Sequence, residues 1–465
     1  MTATARAALA ISLPSASTIA LGAVGALAVV AVLALLMRRH RDALPLLAVF
    51  TLPFRVPISL DAKTVNVLIP LYLVVIAGTL VRAPDWLAAV RRRRAGAPAP
   101  APATEYLRPS LARWATPRTL EWLLFGAVAL YALQAVYSAD HARAAENVAF
   151  FYVPFALLFL LLRQVQWRRE LLLRCLLVVV ALAVIFAGVG FVEYARKSLF
   201  LNPKVVAANQ YDNYFRVNSL FFDPNIYGRF LALVMIALAT VVLWSTRRRE
   251  VLLGAGGLAW LLGGLVTSFS QSSIAALLLG LAVLAAWRWD VRAALYASVA
   301  LFATAGAVVL LAPTSLHFGL KGSGGSTSNA TSGRTKLISG GLDLFAERPL
   351  QGFGSGSFER EYKRHSETTA ENATSASHTI PVTVAAEQGV LGLALYVALL
   401  VCAFAVLFRG AGRSPPRIAL AACFAALVLH TWTYADFLED PFTWAILAVG
   451  VALARQARAE QASSF

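Results

Sequence analysis

The sequence predicts an all-α polytopic membrane protein of about twelve transmembrane helices with one long extramembrane loop. Three observations carry this. Of 465 residues, 59% are hydrophobic and only 14% charged, with a mean hydropathy of +0.68, whereas a soluble globular chain has about a quarter charged residues. Apolar runs recur at about the 17–25 residues that match bilayer thickness. The arginines collect in the short turns between those runs. Helices are the expected spanning element because they satisfy their own backbone hydrogen bonds in lipid.

In chain order, spans are predicted near 17–37, 43–60, 64–81, 119–138, 147–163, 171–194, 225–244, 251–268, 272–287, 293–312, 389–408, 417–434 and 442–454. The first ends at Met37, Arg38, Arg39 and His40 and not at a small-residue cleavage site, so it reads as a retained span and not a signal peptide. The pair at 43–60 and 64–81 contains Pro45, Pro53, Pro57 and Pro70, which leaves one of the two open as short or re-entrant and the total at twelve or thirteen. Residues 82–118 form a linker whose Ala95-to-Pro102 core alternates Ala and Pro and should be extended. Cys175, Cys402 and Cys423 all fall in predicted spans, as small buried apolar residues with no disulfide or metal spacing.

A formal net charge of +17 suggests nucleic acid until its distribution is examined. Basic residues crowd Arg38 to Arg41, Arg91 to Arg94, Arg163 to Arg169, Arg247 to Arg249, Arg288 with Arg292, and Arg409 to Arg417. These turns alternate across the spans in the positive-inside pattern. They read as cytoplasmic, and the charge describes topology, with membrane lipids and not nucleic acid as partner. Parity then puts the segment 195–225 and the long loop 313–388 outside, which in a Gram-negative cell is the periplasm. The domain reading is therefore spans over 1–312 with a cytoplasmic linker 82–118, the periplasmic loop 313–388, and C-terminal spans over 389–465.

Loops of this length are uncommon without a function, so the chemistry is sought there. Ser323 to Ser332 reads as a flexible Gly/Ser/Thr/Asn stretch. Residues 334–347 place Ile338, Leu342 and Phe345 at helical spacing. A short helix is predicted over 358–367, with Glu359 and Lys363 at i,i+4. Ser377 is a candidate N-cap for a helix through Glu387. That would put His378 in a first turn, where the helix dipole favours the neutral imidazole a general base requires. His40, His141, His317 and His365 lie in turns or among charges, and His430 lies inside a span. Arg216 and Arg334 lie in external segments near span ends, where a guanidinium can meet phosphate oxygens bidentately. There is no Walker A motif, paired metal-binding carboxylates or G-x-S-x-G elbow, so no cofactor or metal is expected.

The order Arg334, Leu342 to Phe358 (including Pro349-Leu-Gln-Gly-Phe-Gly354), Ser377-His-Thr379 and Glu387-Gln-Gly-Val-Leu-Gly392 resembles the O-antigen ligase and polymerase superfamily. Upstream, Arg216 followed by Pro224-Asn225 is similar to that family's arginine and Pro-Asn turn. Two positions depart from its pattern: Gln271 stands in a Ser-rich stretch where an arginine is frequent, and Thr379 follows the histidine where Asn is common. The resemblance implies metal-independent, inverting glycosyl transfer from an undecaprenyl-diphosphate-linked glycan. His378 would be the base and Arg216 and Arg334 the diphosphate ligands. The first expectation is an O-antigen ligase of the inner membrane, with lipid A–core as acceptor. The alternatives are an O-antigen polymerase or a protein O-oligosaccharyltransferase using the same donor. A polysaccharide transporter fits less well, because the predicted spans are nearly free of ionisable residues.

Overall fold

The computed structural model describes residues 16–60, 63–94, 114–200, 215–289, 326–365 and 379–463. The predicted span 293–312, the core of the linker, and His378 lie outside the described residues.

The first elements show where hydropathy alone misleads. Helix α1 (Ala16–Arg39) follows the first apolar run, but α2 (Ala43–Thr51) stops well short of the predicted 43–60 span. Thr51 turns its hydroxyl back onto the Leu47 and Ala48 carbonyls at 2.8 and 3.1 Å, and Pro53 and Pro57 would each remove a further ladder bond. The chain instead forms an antiparallel hairpin, β1 (Val56–Leu60) and β2 (Lys63–Val67), with Val56 opposite Val67. The β-branched content of these strands favours the pleated conformation. Helix α3 (Ile69–Arg94) then begins with Pro70 in its first turn, where the missing N–H costs nothing.

Helices α4 (Pro117–Gln134), α5 (His141–Asn147) and α6 (Val153–Leu162) follow, the last two joined by a π-helical turn at Val148–Tyr152. Then come α7 (Arg169–Arg196), α8 (Pro224–Trp244), α9 (Arg248–Thr267) and α10 (Gln271–Arg288). The loop contributes α11 (Ser326–Glu347) and α12 (Phe358–His365). Finally α13 (Ile380–Phe408), α14 (Pro415–Thr433) and α15 (Pro441–Ser463) close the chain. Nine helical segments among the described residues are long and apolar enough to cross a bilayer. Apart from the hairpin, this is an all-α polytopic membrane protein.

The core forms around α8, which is largely apolar and buried along most of its length against α9, α10 and α14. By contrast α1 packs mainly on α3 and leaves Leu21, Val24, Leu27 and Val32 exposed, as a lipid-facing helix should. All three cysteines are buried and free.

The arginine-rich turns share one end of the bundle. Asp42 pairs with Arg168 at 3.0 Å and Arg174 at 3.4 Å; Glu121 pairs with Arg163 and Arg455. Arg288 donates to the Leu243 carbonyl at 3.1 Å, and Arg417 to that of Arg409 at 2.6 Å. Cations thus cap the free carbonyls of helix C-termini. The remaining helix ends, with α11, α12 and the site described next, lie at the opposite end.

Two loop expectations change and a third holds. The Ser323–Ser332 stretch enters α11 from Ser326 onward. The buried face of that helix carries Leu337, Gly341 and Leu344, one position off the predicted face, and Leu342 is exposed. The Glu359–Lys363 pair is present at 2.7 Å.

Candidate active site

Arg216 sits where three helix ends meet. Helices α9 and α10 are joined by a tight corner, Ser268-Phe269-Ser270, in which Phe269 takes a left-handed φ of 50°. Ser268 is tied to the Leu265 carbonyl, and Ser270 caps α10 by accepting from the Ser273 N–H. The half-buried Arg216 donates Nε to the Ser268 carbonyl at 3.2 Å and Nη2 to Asn225 Oδ1 at 3.3 Å. Asn225 lies in the first turn of α8, behind an Asp223 cap. Two helix amino ends, each with positive partial charge, thus flank one guanidinium, an arrangement that favours an anion.

Behind Arg216 the polar cluster continues into the bundle. Ser270 Oγ donates to Asn225 Oδ1 at 2.9 Å and lies 2.7 Å from Ser273 Oγ. Ser273 Oγ is 3.1 Å from Nε2 of His430, a fully buried residue of α14. One turn along α8 from Asn225, Arg229 is also buried. It pairs with Asp440 at 2.5 Å and donates to the Ala435 carbonyl at 3.2 Å. Its i,i+4 spacing from Asn225 puts Arg229 on the same inward face of α8.

The glycine-rich turn and the entry to α13 clasp one another. Gly354 N donates to the Glu387 carbonyl at 2.8 Å, and Val390 N to that of Pro349 at 2.7 Å. The Glu387 carboxylate accepts from Gly356 N at 2.9 Å and Phe358 N at 3.0 Å, so both its oxygens serve the turn. Gly389 breaks the helix at φ +66°, and a Cβ there would lie 2.3 Å from the Leu350 carbonyl oxygen. Gly352, also at φ +66°, would meet the Glu387 carbonyl at the same distance. Only glycine satisfies both demands. The clasp is fixed to the end of α4 by Ser138 Oγ on the Ser355 carbonyl at 2.7 Å and Tyr137 OH on that of Gln351 at 2.8 Å.

Beside the clasp, Asn147 donates to Tyr131 at 2.7 Å and to Glu439 at 3.1 Å. Burial pushes the Glu439 carboxyl up to about 7, Asp436 adding to the shift and Arg143 opposing it.

Of the three predicted site residues, Arg216 is at this end, in contact with α8 and the α9–α10 corner. Arg334 lies in α11, which packs on α13. His378 lies outside the described residues, and the residue after it, Thr379, is extended and caps α13. The helix thus starts at Ile380, later than the Ser377 cap predicted, and His378 precedes it. Thr379 donates its hydroxyl to the Trp432 carbonyl of α14 at 3.3 Å, two residues from His430. Gln271 is exposed in the first turn of α10. His430 escaped sequence reading because a lone histidine in an apolar run reads as core. The serines of 268–273 were the available signal.

Fold and site together define a multi-pass membrane protein with an arginine-bearing polar site opposite its basic turns. Residues 256–397 match the family model described as O-antigen ligase. The match covers the α9–α10 corner, Arg334, the glycine-rich turn, His378 and Glu387, and supports membership of the O-antigen ligase and polymerase superfamily. Proteins of this family are glycosyltransferase-like enzymes acting on polyprenyl-linked glycans in membranes. No curated protein matches the sequence.

Proposed function

We propose that the protein is an O-antigen ligase of the Gram-negative inner membrane. It would move glycan from undecaprenyl diphosphate to lipid A–core on the periplasmic side. The observation that supports this best is Arg216, held between two helix amino ends beside the family-matched segment. A departing diphosphate needs cations and little else. In this reading a sugar hydroxyl of the acceptor attacks the anomeric carbon with inversion, the bond to the diphosphate oxygen breaks, and His378 takes the hydroxyl proton. Arg216 and Arg334 hold the leaving diphosphate. The test is a deletion strain complemented with the gene. The expected defect is core without O-antigen, alongside continued accumulation of polymerised lipid-linked chains. Short lipid-linked units would instead identify a polymerase, and unglycosylated periplasmic proteins with normal lipopolysaccharide a protein glycosyltransferase.

A further inference from the structure

We infer that His430 is a positioning residue that sets the Arg216 guanidinium through a buried hydrogen-bond relay. The links are His430 Nε2 to Ser273 Oγ at 3.1 Å, Ser273 Oγ to Ser270 Oγ at 2.7 Å, Ser270 Oγ to Asn225 Oδ1 at 2.9 Å, and Arg216 Nη2 to Asn225 Oδ1 at 3.3 Å. His430, Ser270 and Ser273 are all fully buried, so no water competes for their protons, and such chains polarise cooperatively. Their polarity is consistent when Nε2 carries the proton. Nε2–H then donates to Ser273, Ser273 O–H to Ser270, and Ser270 O–H to Asn225. Asn225 Oδ1 is left as the acceptor that fixes Nη2. In the other tautomer Nε2 accepts, from Ser273 Oγ at 3.1 Å or Ser272 Oγ at 3.3 Å, and a Ser273 hydroxyl proton turned to the imidazole is lost to Ser270. The Ser268 carbonyl takes Nε from the same corner, so the Nε and Nη2 contacts of the guanidinium depend on how this corner is held. Apolar packing would not need an imidazole here, since its Nδ1 meets no partner among the described residues and costs burial energy.

The consequence for the ligase reading, on which this inference rests, is that His430 acts on the donor through Arg216 alone. The test uses full-length protein in nanodiscs with undecaprenyl diphosphate as the binding probe. His430→Phe keeps the ring and removes both nitrogens, and should weaken binding about tenfold at unchanged melting temperature. His430→Gln, whose amide can donate where Nε2 did, should stay within about twofold of wild type. In the Arg216→Ala background His430→Phe should add nothing, because a residue acting through another shows no further effect once that residue is gone. Ser273→Ala, a smaller change, repeats the cycle if His430→Phe does not fold. A second readout does not depend on the donor: the Arg216 Nε–H resonance in ¹⁵N NMR, assigned by its loss in Arg216→Lys. It should broaden or shift in His430→Phe and Ser273→Ala. An unchanged resonance in both variants overturns the relay whatever the donor is, as does an equal loss of binding with and without Arg216. If the resonance responds but Arg216→Ala binds the probe like wild type, the relay stands and the donor reading fails.

Discussion

Removing the Glu387 side chain should release the glycine-rich turn from α13. In Glu387→Ala, the Gly356 and Phe358 N–H groups lose acceptors at 2.9 and 3.0 Å. Phe358 is almost fully buried and Gly356 half-buried, so water cannot reach the Phe358 N–H without opening the turn. A hydrogen bond to a charged group is worth about 1.5–3 kcal/mol, and an orphaned buried donor costs about 1–3 kcal/mol. Two such groups give about 3–5 kcal/mol, large against a total stability on the order of 5–15 kcal/mol. The backbone bonds from Gly354 and Val390 remain, so local opening of 349–358 should precede global unfolding. Glu387→Gln keeps one acceptor but turns an amide N–H toward the other donor, and should lose about half as much. The assay is thermal unfolding in detergent beside limited proteolysis. Glu387→Ala should melt several degrees lower and be cut within 349–358, with Glu387→Gln between it and wild type. Melting within a degree of wild type and an unchanged digest would refute the view that this carboxylate holds the turn.

Glu439 is raised to about 7 by burial, so the folded state holds its proton more tightly than the unfolded state, and this stability is present at low pH and lost as pH rises through 7. The melting temperature of Glu439→Gln minus that of wild type should therefore grow between pH 5.5 and 8.5; a constant difference would remove Glu439 as the source. Arg216→Ala and Arg334→Ala should each cut transfer by about 10²–10³-fold, with lysine rescuing only partly because it lacks the planar fork; full rescue at both positions would discard bidentate binding. His378→Ala and His378→Gln should fold normally and lose about 10²–10⁴-fold in turnover, and a near wild-type rate in either would end its role as base. A cysteine at Ser326 should react with an impermeant thiol reagent in spheroplasts and one at Ala99 should not, and the reverse pattern would invert the topology.

Helix positions were legible because a bilayer demands long apolar runs and leaves arginines at their ends. What was not legible depended on local backbone chemistry. The run from Ala43 to Leu60 is apolar enough to span, yet Thr51, Pro53 and Pro57 divert it into a hairpin. At the site, Arg216 was recognisable from its position beside Pro224-Asn225. The sequence offered no way to see that Asn225 would be shared with Ser270 or that His430, some 200 positions later, would lie behind them. Such contacts come from the packing of α8, α10 and α14, which hydropathy does not specify.

The motifs that carry the family resemblance therefore serve geometry more than chemistry. Pro349 to Gly354 and Glu387 to Gly392 interlock through backbone bonds, and their glycines and carboxylate are used up in doing so. What this fixes is the ends of the segment that contains His378. On one side α12 is anchored by Phe358 against Glu387, with His365 Nε2 2.6 Å from Glu347 Oε2. On the other, Thr379 is bonded to the last turn of α14, next to the buried relay behind Arg216. Both anchors stand at the end of the bundle that holds Arg216. For His378 as the proposed base, these anchors fix where the chain leaves α12 and where it enters α13.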